Sequence, residues 1–186
     1  MNKIDLLAIL SATLSKKRVA ELVSLEKSRI FTIQELYSYC FHSEPTIAFR
    51  ASWVLETITL TVPERLDPVL HLFLADFSKQ SNRSCQRHFT RILMTVQNKK
   101  APKSYQLALK AADREALVTT VFEWVIDPET PVAVLANCID ILYAFSGEFE
   151  WIREELGYQL VILMDRGSPA LNSRGKRVLQ RLNKKR

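Results

Sequence analysis

Residues 130–145 read TPVAVLANCIDILYAF, and counted from Val134 their apolar side chains fall at offsets 0, 4, 7, 8 and 11: Val134, Cys138, Ile141, Leu142 and Phe145. That spacing is one face of a helix with 3.6 residues per turn. The same offsets recur three times. In SEPTIAFRASWVLETI (43–58) they give Ile47, Ala51, Val54, Leu55 and Ile58, and in SNRSCQRHFTRILMTV (81–96) they give Cys85, Phe89, Ile92, Leu93 and Val96. In SPALNSRGKRVLQRL (168–182) they give Leu171, Gly175, Val178, Leu179 and Leu182. Gly175 alone is not strongly apolar, and it is small, as is Ala51 at the equivalent place. Four helices on one template make a repeat.

The openings of these helices are punctuated. Ser43-Glu44-Pro45, Asp67-Pro68, Thr130-Pro131 and Ser168-Pro169 each set a capping side chain just before a proline. Such a side chain accepts from the free amides of the first turn, where proline has no N–H to lose. Thr32-x-x-Glu35 adds a capping box. Partner helices are expected over roughly 33–41, 68–79, 113–126 and 150–165, each with apolar residues at helical spacing. The register steps are 38, 49 and 37 residues, and the longer middle step places an insertion at 98–112 with a basic loop and a short helix.

The composition agrees. Of 186 residues, 47% are apolar and 25% charged, the balance of one folded domain. All four glycines lie beyond residue 146, and tight β-hairpins need residues that accept positive φ, so an all-β chain is excluded. Cys40, Cys85 and Cys138 are scattered within apolar patterns and read as small buried hydrophobes of a reducing compartment. No stretch approaches the length of a membrane span and the first residues carry no leader pattern, so the expected location is cytoplasmic.

A two-helix repeat of this length resembles the HEAT and armadillo-type α-solenoids. The resemblance implies an all-α, α-α superhelix of about four helical-hairpin repeats (30–61, 64–97, 113–146 and 150–184) in a single domain over 1–186. Residues 1–28, with Ile4, Leu7, Leu10, Leu14, Val19, Leu22 and Val23 on apolar faces, are then the N-terminal cap that an open solenoid needs. The basic last helix, ending Lys184-Lys185-Arg186, is the polar cap at the other end. Such families often carry Arg within the second helix, and Arg50 and Arg174 match that column, where His88 and Asn137 replace it in the middle repeats. In such solenoids the second helices line the concave side. Offsets 2, 6 and 9 should then line it: Phe49, Arg87, Ala136 and Ser173; Trp53, Arg91, Asp140 and Arg177; Glu56, Met94, Tyr143 and Gln180. Phe49 and Trp53 are expected to lie under the cap helices.

Charge is unevenly spread along the chain. Residues 1–100 carry 14 basic and 9 acidic side chains, residues 101–173 carry 5 and 11, and residues 174–186 carry 7 and none. Residues 79–103 hold seven basic side chains and no acidic one. Chemistry is poorly represented. His42, His71 and His88 have no metal-ligand spacing and read as surface or half-buried, and a Gly-rich phosphate loop cannot exist before residue 147. No catalytic residue, metal or cofactor is assigned. A fumarase or adenylosuccinate-lyase type is excluded by the missing Ser-Ser-x-x-Met-Pro-x-Lys loop. The expected function is a non-catalytic protein-interaction module that takes an unidentified protein with an acidic surface on Arg50, Trp53, Arg87, Arg91, Asp140, Tyr143 and Arg177. Exchange of Arg87 and Arg91 for Glu should then weaken capture while leaving the melting temperature nearly unchanged. The alternative is a nucleic-acid binder using the basic strips 79–103 and 174–186, similar in type to HEAT-like DNA glycosylases, with Trp53, Arg91, Asp140 and Arg177 on one face. No membrane partner is expected.

Overall fold

The structure, a computed structural model, describes residues 5–27, 30–165 and 168–184. Ile4, Gly167, Lys185 and Arg186 lie outside the described residues. Among those described the chain is all-α, as its spacing predicts, with eleven α-helices, two 3-10 segments and no strand. It divides into two compact units, 1–112 and 113–186.

In the first unit, α1 (Leu6–Ser11), α2 (Lys16–Lys27) and α3 (Ile33–Tyr39) all pack on α4 (Pro45–Thr61), which packs in turn on α6 (Arg83–Val96). Its core is aromatic. Phe89 of α6 meets Phe41, Phe73 and Phe77 with ring centroids 5.6, 5.2 and 6.3 Å apart, distances at which aromatic pairs attract beyond their burial. Between α4 and α6 the expected helix over 68–79 is broken up. A 3-10 segment (Pro63–Val69) leads into the short α5 (Leu70–Ala75), followed by a 3-10 turn (Phe77–Lys79). Pro63 and Pro68 each remove a backbone donor, and a proline ring cannot follow an α-helical carbonyl four residues back, so the tighter winding replaces a regular helix. The last helix of the unit, α7 (Lys103–Ala111), is pinned to that segment: the buried Tyr105 hydroxyl donates to the Pro63 carbonyl, and Ser104 donates to Asp67 at 2.9 Å.

The second unit is two helical hairpins, α8 (Arg114–Ile126) with α9 (Val132–Phe145) and α10 (Trp151–Asp165) with α11 (Pro169–Lys184); α11 packs on both α9 and α10. The offsets 0, 4, 7, 8 and 11 of all four second helices (α4, α6, α9, α11) are buried, with one exception, the half-buried Leu179.

The helix starts follow the sequence in their prolines and depart from it in their caps. Pro45 and Pro169 stand at first helical positions, and the Thr32 hydroxyl accepts from the Glu35 amide at 3.1 Å. Ser43, Asp67 and Thr130 do not cap. Glu44 and Pro131 occupy the N-cap positions of α4 and α9, which leaves Ser43 and Thr130 one residue outside, and Asp67 accepts from Ser104 instead. Side-chain caps come from Asp5, Asn82 and Asp113.

Candidate functional site

At offset 3 of the template, the column of Arg50, His88, Asn137 and Arg174, three side chains tie helices together: Arg50, His88 and Arg174. Arg50 reaches from α4 to the C-terminus of α1 and donates to the Leu10 and Ser11 carbonyls at 2.9 and 2.8 Å. Those carbonyls have no partner within the helix, and a guanidinium there also meets the negative end of its dipole. His88 reaches from α6 back to α4, where its Nδ1–H donates to Glu56. Arg174 reaches from α11 back to α9, donating to the Ala136 carbonyl at 3.1 Å and to Asp140.

Glu56 is the centre of the best-built polar cluster in the first unit. It is the only acid in α4 and is buried, although its offset had placed it on the open side. Its Oε1 takes Arg91 Nε at 2.6 Å while its other oxygen takes His88, so two donors offset the cost of burying a carboxylate. His88 is buried too, correcting its reading as surface or half-buried, and its Nε2 has no partner among the described residues. The Phe49 ring stands 5.1 Å from the His88 ring and 6.3 Å from Trp53. Phe49 and Trp53 are half-buried, on a helix that α1 and α2 pack against. Arg91 therefore has a structural task. The exchange of Arg91 for Glu would set two carboxylates together, so the expectation that it leaves the melting temperature unchanged is corrected. Arg87, one turn earlier on α6, is exposed and has no ion pair among the described residues.

In the second unit Asp140 is half-buried and shared by Arg174 and, at 3.9 Å, Arg177. Tyr143, one turn further along α9, lies under the Arg181 guanidinium at 6.0 Å from the ring centroid. The structure thus brings together Asp140 with Arg177, and Arg91 with Glu56, while Arg50 is tied to α1. Glu56 and His88 were the residues to find from sequence. A lone acid in the apolar run SWVLETITL, within a helix whose only other charge is Arg50, is the signal of a buried pair.

Among the described residues no helix is long and apolar enough to cross a membrane, and no three His, Cys, Asp or Glu side chains gather as a metal site. The three thiols are free, buried and pushed above the usual range by that burial, the opposite of an activated nucleophile.

Helical hairpins on one template, three of whose second helices are tied back to earlier helices by side chains at one repeated position, define an all-α repeat protein. The chain belongs to the HEAT repeat domain family, whose model matches residues 6–182. HEAT repeat domains are, as a type, protein-interaction scaffolds. No curated protein and no solved structure matches the chain.

Proposed function

We propose that the chain is a non-catalytic interaction module that takes an acidic protein partner on the exposed side of α6, with Arg87 as the first contact and the half-buried Trp53 of α4 as an apolar one. The observation that carries this reading is the state of Arg87: exposed, on a segment with no acid from 79 to 103, and without an ion pair among the described residues. A guanidinium in that condition has a full set of forked donors to offer a carboxylate. Arg91, held by Glu56, presents only part of its fork. Arg177 and Tyr143 form a second candidate contact in the other unit, weakened by Asp140 and by Arg181.

Nucleic acid is the second reading, favoured by the exposed Lys99, Lys100 and Lys103. Phosphate binding releases counterions and is lost steeply with salt. Fluorescence anisotropy with single- and double-stranded DNA and RNA, at low and near-physiological salt, separates the two. Affinity capture with the wild-type chain and with Arg87→Glu is the direct test. A protein partner lost from Arg87→Glu at an unchanged melting temperature supports the proposal, and unchanged capture overturns it. Oligonucleotide binding that survives physiological salt and is lost in Arg87→Glu replaces it with the second reading.

A further inference from the structure

We infer that the groove between α10 and α11 is the seat of a partner's amphipathic helix, one whose apolar stripe is flanked by Lys or Arg. This goes beyond the proposed function, since it lies in the other unit and asks for a partner of opposite charge.

The groove has a volume of about 980 Å³. Its lining contains the one template position that the fold leaves only half-buried. Leu55, Leu93 and Leu142 stand at the same register as Leu179 and are fully buried, while Leu179 is half-buried in the groove wall. Tyr158 and Val161, on the same groove, are 62% and 58% exposed. Apolar side chains gathered at a concave place mark contact sites more often than those scattered singly.

Gly157 is the second observation. It lies within α10, where glycine weakens a helix relative to alanine, and a Cβ built on it meets nothing within 4 Å. The fold itself therefore has no use for a bare position there. On a groove wall, however, it lets another helix come closer, since the distance between packed helices is set by the side chains at the contact. Gly175 is the contrast: its Cβ would come within 2.9 Å of Met164, so that glycine serves the packing of α10 on α11.

Charge complementarity names the occupant. Glu150 and Glu154 line the groove and have no ion pair among the described residues, and Arg153, its only basic lining residue, donates to the Leu182 carbonyl. A second copy of the chain is a poorer fit. Its basic helix α11 already buries Leu171, Val178 and Leu182, so it has no apolar stripe to offer, and α10 against α10 would set Glu154 beside its own kind. A basic amphipathic helix satisfies both the floor and the rim.

The test uses the full chain and a fluorescein-labelled helical peptide of about five turns, with Leu on one stripe and Lys on its flanks, against a version with Glu for Lys. The chain's net charge of +6 repels the Lys peptide in general, so capture reports the local rim. The expected result is selective binding of the Lys peptide, weakened at least about tenfold in Gly157→Leu and in Glu150→Lys/Glu154→Lys. Gly157→Ala, which should melt higher than wild type, keeps the result separable from loss of folding. Arg87→Glu should bind the peptide as wild type does, so failure of the α6 proposal leaves this one standing. Equal binding of both peptides, no binding, or binding untouched by Gly157→Leu overturns the inference. So does a dimer in sedimentation velocity that Gly157→Leu dissolves, which would give the groove to a second copy.

Discussion

Arg91 and Glu56 face each other across α6 and α4 with Nε 2.6 Å from Oε1, and His88 closes the other side of the same carboxylate. The arrangement makes Glu56 a hub: removing it strands two donors, whereas removing either donor leaves the other in place. Glu56→Ala should cost on the order of 2–3 kcal/mol of stability, the range for deleting one partner of a buried charged hydrogen bond. Arg91→Ala should cost less, because that side chain is about half exposed and water can replace it. Chemical denaturation of the three proteins checks the order, and an Arg91→Ala loss equal to that of Glu56→Ala would contradict the hub.

Asp140 holds Arg174 in a more open setting, with both side chains under a third exposed. Asp140→Asn should therefore cost only about 1 kcal/mol, and less at high salt. Arg174→Ala should cost more than Asp140→Asn, since it also takes the donor from the Ala136 carbonyl. Thermal melts of both at two salt concentrations would show it.

The two helical glycines predict opposite outcomes. At Gly157 an alanine meets open space and should raise stability by about 0.5–1 kcal/mol. At Gly175 a leucine drives into Met164 and Leu160 and should lower it by about 1–3 kcal/mol, the usual cost of overpacking. A melting temperature that moves the same way in both would refute the packing described for α10 and α11.

Alkali should destabilise this chain. Burial raises Cys40, Cys85 and Cys138 above the ordinary thiol value of 9.0, and burial, with nearby Asp76 for Tyr37 and Asp67 for Tyr105, raises both phenols above 10.0. The sign follows from linkage: the native state holds these protons more tightly, so their contribution is complete below pH 9 and falls as pH rises past the unfolded values. Each group fully offset in this way removes up to about 1.4 kcal/mol per pH unit. Urea midpoints at pH 7.5 and 10.5 test this, and Cys40→Ala/Cys138→Ala should flatten the decline.

The repeat was legible because burial in a helical hairpin is periodic: Val134, Cys138, Ile141, Leu142 and Phe145 sit inside where the 3.6-residue spacing put them. Glu56 escaped because a spacing rule sends every polar residue outward, and only the partner's position, 32 residues on at His88, brings it in. The caps failed for a local reason, a one-residue shift at Glu44 and Pro131 that side-chain preference does not resolve. Leu179 matched the template in sequence and departs from it in burial, and no neighbouring residue on α11 signals that difference. Of the candidate contacts, Arg87 kept its open character, while Arg50, Arg91 and Asp140 had structural partners that lie about 35 to 40 residues away in the chain.

The ties made by Arg50, His88, Arg91 and Arg174 run in one direction. Arg50 fastens α4 to α1, His88 and Arg91 fasten α6 to α4, and Arg174 fastens α11 to α9, always from the later segment to the earlier. A nascent chain leaves the ribosome in that order, and domains generally fold N-terminal part first during synthesis. Each helix that supplies one of these four side chains thus emerges to find its acceptor already made, so translation itself sets the docking order for them, whereas Arg114 and Arg153 wait for Glu148 and for the Leu182 carbonyl.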